Sequence, residues 1–155
     1  MNTAQRKASR QKRRMWCDPM ASIHVLAANS EQPKANADAI MVALRLAYEK
    51  LKMGTATVGD FDRLAAAINV GLIRAELIDP LAEETMVKGV AALVHCAELH
   101  QRHGKFGFAG PELVAMNDAV NLYEDILRLS TPKQMLSALD VAARRIQEQM
   151  RGAVA

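Results

Sequence analysis

The chain has 155 residues, half of them hydrophobic and only 4% aromatic, and its formal net charge is +3. Residues 1–20 hold six basic residues and one acidic residue, whereas residues 21–155 hold fourteen basic and sixteen acidic residues. This length predicts a single domain, and no apolar run approaches the roughly 18 residues that span a membrane. The positive charge therefore belongs to an N-terminal arm, and nothing in the remainder suggests a face that binds polyanions.

The N-terminal part predicts an arm followed by a helical domain. Residues 1–17 lack apolar periodicity and are expected to form a disordered basic arm, and residues 18–155 are expected to form one helical domain. Asp18 and Pro19 are typical of a helix start, and a short helix is predicted from there to about Asn29. This arm lacks the apolar core of a secretory signal, and two cysteines are too few for a disulfide framework. We therefore expect a cytoplasmic protein with no cofactor.

Apolar residues at helical spacing predict five longer helices after this point. They run from about Asn36 to Gly54, from Thr57 to Ile78, from Pro80 to His103, from Pro111 through Leu127, and from Thr131 to about Arg151. Only the few residues around Phe106 and Phe108 alternate as in a strand. The predicted fold is all-α, a compact bundle of about five to six mostly antiparallel helices.

The sequence leaves open which face of one of these helices meets the core. The helix that carries Cys96 has competing apolar stripes, one of which includes Val87 and Val94. The last helix has a single stripe, made of Leu136, Leu139, Ala143, Ile146 and Met150. A face of this helix that includes Met135, Ile146 and Met150 is a candidate for docking a partner protein or a second copy.

Several short motifs occur in a characteristic order. Asp18-Pro19 follows the basic stretch, and a turn at residues 54–60 reads Gly-Thr-Ala-Thr-Val-Gly-Asp. A loop at residues 104–113 reads Gly-Lys-Phe-Gly-Phe-Ala-Gly-Pro-Glu-Leu, and Thr131 and Met135 form a late Thr-x-x-x-Met element. In these pieces the chain resembles small helical proteins encoded by phages, prophages and plasmids of proteobacteria. The resemblance implies a mobile-element setting, and it brings no activity or catalytic residue with it.

Cys96, His100 and His103 are spaced to lie on one face of a helix. Such ligands can begin a zinc site, which Cys17 or His24 would complete from a neighbouring element. The alternative, which we favour, is that Cys96 packs as a small apolar residue and that His100 and His103 lie exposed in the last turn, where the helix dipole favours them. His95 is expected to be a hydrogen-bonded core histidine. No metal site is therefore predicted.

Residues 64–72 roughly match the turn of a helix-turn-helix motif. The second helix of that motif would offer only Arg74 and Glu76 to read bases, which is too few for a recognition helix. A single continuous helix, in which Gly71 permits a close contact between helices, is the favoured interpretation.

The candidate nucleic-acid residues lie in the arm and in the loop after residue 101. Six cations, at Arg6, Lys7, Arg10, Lys12, Arg13 and Arg14, can neutralise phosphates, and Trp16 can stack on a base. Arg102, Lys105 and Phe106 also combine positive charge with an aromatic ring, as in single-strand binders. The competing interpretations are a solubilising tail in the first case and a loop that covers the core in the second.

No set of residues resembles a catalytic site. The carboxylate pairs lie near helix starts, where the helix dipole favours them without any chemistry, and the serines lack a nucleophile-elbow context. We therefore expect a non-enzymatic binding protein that contacts nucleic acid through residues 6–14. The alternative is a protein–protein interaction module that acts through a helix face.

Overall fold

The computed structural model describes residues 34–154, and five α-helices account for most of them. They are α1 (Lys34–Met53), α2 (Val58–Ala75), α3 (Pro80–His103), α4 (Gly110–Leu129) and α5 (Pro132–Val154). No strand occurs within residues 34–154, so the all-α prediction is confirmed. None of these five helices is long and apolar enough to cross a membrane. The predicted arm and the short helix that begins near Asp18 lie outside the described residues.

Hydrogen bonds at the helix starts explain why the helices begin where they do. Thr57 Oγ1 accepts a bond from the backbone N–H of Asp60 at 3.2 Å, and the Asp60 carboxylate accepts one from Thr57 N–H at 3.0 Å. Thr131 and Gln134 exchange an equivalent pair of bonds, of 3.2 and 2.9 Å, at the start of α5. Each pair satisfies backbone donors that a helix start leaves free. The predicted starts of α2 and α5 are therefore confirmed to within one residue.

The helix α2 lies at the centre of the bundle and packs against each of the other four helices. It is continuous over Val58–Ala75, which rules out a helix-turn-helix turn at residues 64–72. A Cβ at Gly71 would lie 2.3 Å from Met86 Cε and 3.1 Å from Tyr123 Cδ2. The close helix contact that the sequence predicts at Gly71 is thus confirmed, and it joins α2 to both α3 and α4.

The helix α3 packs against the bundle through the apolar stripe that contains Gly89. The buried residues of this stripe are Met86, Gly89, Ala92, Leu93 and Cys96. Val87 and Val94, which belong to the competing stripe, are 49% and 54% exposed. A Cβ at Gly89 would lie 2.6 Å from the Cβ of Ala119 on α4. The two backbones approach so closely there that only glycine fits without a shift. This contact explains why the stripe with Gly89, and not the one with Val87 and Val94, faces the bundle.

Polar contacts hold α1 against α4 at the surface. Arg128 lies 2.8 Å from carboxylate oxygens of both Asp38 and Glu124, and Arg45 also pairs with Glu124. These pairs are partly exposed to solvent, so each contributes little to stability. They fix the orientation of α1, whose outward face contributes to the surface described next.

Candidate functional site

An apolar groove of about 550 Å³ runs between α1, α2 and α5. Its walls include Ile40 on α1 and Leu136 and Leu139 on α5, which are 40%, 59% and 47% exposed. Leu44 and Val70 lie buried beneath them. The walls are open to solvent, so the groove presents an exposed apolar surface.

The chemistry of this groove is nearly uniform. Arg63 is the only charged residue among those that line it, and most of the others are alanines and branched or long aliphatic residues. A small-molecule pocket usually encloses its ligand and presents several convergent polar groups. This groove does neither, whereas the apolar face of an amphipathic helix needs only an apolar trough.

The helix α5 forms one wall of the groove and packs on the bundle through small residues. Ala138 and Ala142 are buried against Val70 and Ile73 of α2. Further along, Arg145 binds the carboxylate of Glu76 with two hydrogen bonds of 2.7 and 2.9 Å. Ser130, the residue that precedes α5, accepts a hydrogen bond of 3.2 Å from Arg74, so α5 meets α2 mainly near the C-terminal end of α2.

Most of the large apolar residues of α5 are exposed, but Met135 is partly buried against the core, so the candidate docking face with Ile146 and Met150 is only partly surface. Leu136, Leu139, Ile146 and Met150 are between 45% and 66% exposed. Every residue from 143 to 152 is exposed, and the ion pair of Arg145 with Glu76 joins this half of α5 to the bundle. The stripe that the sequence assigns to this helix is present, but its larger members form surface instead of core.

The structure places the loop residues proposed for nucleic acid in different environments. Arg102 and Lys105 are exposed, and Arg102 lies 3.8 Å from Glu98. Phe106 is only 6% exposed, and its ring stacks on Phe61 at 5.0 Å and on His100 at 3.9 Å. Both faces of this ring are covered, so Phe106 offers no surface on which a base could stack. Its burial agrees with the interpretation in which the loop covers the core.

The residues proposed for the arm are not described. Arg6, Lys7, Arg10, Lys12, Arg13, Arg14 and Trp16 lie outside residues 34–154. Within residues 34–154 there are fourteen basic and fifteen acidic residues. The described helices are therefore close to neutral, and nucleic-acid binding through charge would depend on the segment before them.

Cys96, His100 and His103 share a helix, but the structure gives them separate surroundings. Cys96 is buried, and burial raises the pKa of its thiol. His100 stacks on Phe106, and His103 is exposed. No three or more His, Cys, Asp or Glu side chains between residues 34 and 154 form a group able to hold a metal ion.

His95 is placed differently from the sequence prediction. Its side chain is 39% exposed instead of buried in the core, and its Nδ1 lies 3.0 Å from Glu112 Oε1. The second carboxylate oxygen of Glu112 is buried and has no hydrogen-bond partner. The pair joins α3 to the start of α4.

Comparison with protein-family models, with curated proteins and with solved structures finds no match to this chain. The resemblance to phage and plasmid proteins therefore stays a prediction.

Proposed function

We propose that this chain is a non-enzymatic binding protein whose helical bundle binds an apolar α-helix in the groove between α1, α2 and α5. The observation that carries the proposal is the outward position of Leu136 and Leu139, which form a wall of the groove with half of each side chain exposed. The sequence analysis gives protein–protein interaction through a helix face as the alternative to nucleic-acid binding. The groove supplies a specific surface for it.

The energetics of the exposed wall support a binding role. Burying apolar surface contributes about 25 cal/mol per Å², and covering a whole Leu or Ile side chain contributes about 1.5–3 kcal/mol. Several half-exposed side chains side by side can therefore anchor a helix, as a few central residues do in most interfaces. The same side chains contribute less to the stability of the unbound bundle, because water still reaches their exposed halves.

The test uses matched variants as affinity baits. Leu139→Asp places a charge in the groove wall, and Val94→Asp places one at a similarly exposed residue of α3, which does not line the groove. A protein retained by the unmodified chain is purified, and its affinity for all three baits is measured. We expect Leu139→Asp to weaken binding at least tenfold and Val94→Asp to leave it unchanged. If no protein, a second copy included, distinguishes Leu139→Asp from the unmodified chain, the proposal is wrong.

A second function is supported by the charge of the N-terminal segment. Residues 1–20 carry a net charge of +5, and the described helices are close to neutral. We propose that residues 6–14 contact phosphates of a nucleic acid, with Arg102 and Lys105 as candidate contacts on the bundle. The cytoplasmic location and the mobile-element setting belong to the same proposal, and they rest on the cysteine content and the sequence resemblance.

Binding to labelled duplex and single-stranded DNA and RNA across a salt series tests this second function. Neutralising about six phosphates makes the affinity fall steeply as salt rises, with a logarithmic slope near −5 for duplex DNA. A variant with Arg6, Lys7, Arg10, Lys12, Arg13 and Arg14 changed to Ser should lose this binding. An unchanged affinity and slope in that variant would show that the arm makes no such contact.

A further inference from the structure

We propose that the helix bound in the groove is α5 of a second copy of this chain, so that the protein is a two-fold symmetric dimer. This inference rests on the proposed function, because it names the helix that the groove receives. In the dimer, the C-terminal half of each α5 lies in the groove of the other copy.

The spacing along α5 is that of a helix which pairs with another helix. Its outward apolar residues are separated by three, four, three and four positions, at Leu136, Leu139, Ala143, Ile146 and Met150. This is the heptad spacing of two helices that pack side by side. In a helix that packs only on its own bundle the apolar stripe meets the core, whereas α5 meets the core through Ala138 and Ala142, with Met135 and Val141 partly buried beside them. The heptad stripe is therefore left for another helix.

The two halves of α5 are complementary to one another. The N-terminal half forms a groove wall with Leu136 and Leu139, and the groove is open. The C-terminal half carries Ile146 and Met150, which are 45% and 66% exposed with no groove of their own. A two-fold axis places the C-terminal half of each α5 against the N-terminal half of the other. The dimer therefore fills both grooves and covers both exposed C-terminal stripes. Self-complementarity of this kind is what a symmetric dimer interface requires.

Charge favours this antiparallel arrangement over a parallel one. The C-terminal half of α5 carries Arg144, Arg145 and Arg151 against Glu148, whereas Lys133 and Asp140 balance in the N-terminal half. Antiparallel pairing keeps the two basic ends apart, and it also opposes the helix dipoles favourably. The positions that flank the stripe are mostly uncharged, including Gln147 and Gln149, so identical copies do not repel along it.

The small side chain of Ala143 lies at the middle of the stripe. In the antiparallel arrangement this residue falls close to the two-fold axis, where the helices approach most closely. Ala143 permits that approach as alanines do at other close helix contacts. A cysteine placed there lies near its own counterpart in the second copy.

Sedimentation equilibrium of the full chain, over about 1 to 200 μM, tests the inference first. We expect a monomer–dimer equilibrium, and we expect Ile146→Asp to raise the dissociation constant at least tenfold. The substituted residue lies in the exposed half of α5, so the variant should fold. Val94→Asp, at a similarly exposed residue of α3, should leave the equilibrium unchanged. A full chain that stays monomeric, or a dimer that Ile146→Asp does not weaken, would overturn the inference.

Oxidative cross-linking tests the arrangement of the two helices. Ala143→Cys should give a disulfide-linked dimer under mild oxidation, and the unmodified chain, with Cys17 and Cys96, reports the background. Val94→Cys is the matched exposed control and should stay at that background. A dimer in which Ala143→Cys does not cross-link above background would rule out the two-fold pairing proposed here.

These experiments separate the failure of the inference from the failure of the proposed function. If the chain is monomeric but a purified partner still loses affinity with Leu139→Asp, the groove binds a helix of another protein and only the dimer is wrong. If residues 18–30 of the chain itself cover the groove, the full chain stays monomeric and no partner distinguishes Leu139→Asp from the unmodified chain, so the dimer and the proposed function are both wrong.

Discussion

The helices α2 and α5 differ in what their large apolar residues do. Leu64 and Ile68 of α2 are fully buried, and that helix packs against all four others. Leu136 and Met150 of α5 are 59% and 66% exposed, and α5 packs mainly on α2 through alanines. Both helices have an apolar stripe in the sequence, yet only the stripe of α2 is used to fold the bundle.

This difference separates folding from binding within one chain. A large side chain that is already buried contributes its transfer free energy to the stability of the monomer. A large side chain left half exposed contributes that energy only when something covers it. Substitutions in α2 are therefore expected to act on unfolding, and substitutions in the stripe of α5 are expected to act on association.

The largest effect is expected for Ile68→Ala in α2. The side chain is completely buried at the centre of the bundle, so its truncation removes transfer free energy and leaves a cavity. We expect a loss of about 2–5 kcal/mol in the free energy of unfolding, measured by urea denaturation. A loss of less than about 1 kcal/mol would show that α2 does not form the core.

A smaller and more local effect is expected for Ala138→Asp. This residue is 3% exposed between α5 and α2, and a carboxylate there would be buried without a partner. We expect α5 to detach, which limits the cost to about 2–3 kcal/mol, less than the full penalty for a buried unpaired charge. Hydrogen exchange should show faster exchange in α5 and unchanged protection in α3. Equal loss of protection in both helices would contradict the peripheral role of α5.

The Glu76–Arg145 pair provides a test that depends on pH. Its hydrogen bond and charge hold the pKa of Glu76 below the ordinary value. A lowered carboxyl pKa contributes stability above the ordinary pKa, and this contribution is lost as the pH falls through the folded-state pKa. Because the pair is partly exposed, Glu76→Gln should cost less than about 1 kcal/mol at pH 7.

The cost of Glu76→Gln should shrink when the unfolding free energy is measured at progressively lower pH, and it should vanish in strong acid. Asp140→Asn on the same helix is the matched control, because this side chain makes no ion pair in the described structure. A cost of Glu76→Gln that stays constant from pH 7 to pH 3 would contradict the pairing.

The smallest effect on monomer stability is expected for Leu136→Ala. More than half of the side chain is already exposed, so we expect a loss of about 0.5 kcal/mol or less in the free energy of unfolding, in line with other surface substitutions. The same variant should weaken dimerisation severalfold in sedimentation equilibrium. A large loss of stability without an effect on association would show that the residue belongs to the core.

The sequence predicts the helices well because their boundaries depend on neighbouring residues. Thr57 with Asp60, Thr131 with Gln134, and Gly104 at the end of α3 are local signals, and each appears in the structure. α2 ends at Ala75 instead of Ile78, because a turn leads to the next cap at Asp79. Where one helix ends and another begins is thus readable to within a few residues.

Which apolar face stays at the surface is harder to predict. Periodicity shows that a helix has an apolar face, but it does not show whether another helix covers that face. On α3 the deciding contact is between Gly89 and Ala119, two residues that are far apart in sequence. On α5 the alanines pack and the leucines do not, although a stripe of larger residues is the usual choice for the core. The burial of Phe106 could not be predicted for a similar reason, since only the fold places Phe61 and His100 on either side of its ring.

The measurement that most directly tests the division between folding and binding is the urea midpoint of the full chain at two protein concentrations a hundredfold apart. Association of folded copies stabilises them by mass action. We expect a higher midpoint at the higher concentration, and no such rise for Ile146→Asp. A midpoint that does not change with concentration in the unmodified chain would contradict the claim that the stripe of α5 serves association.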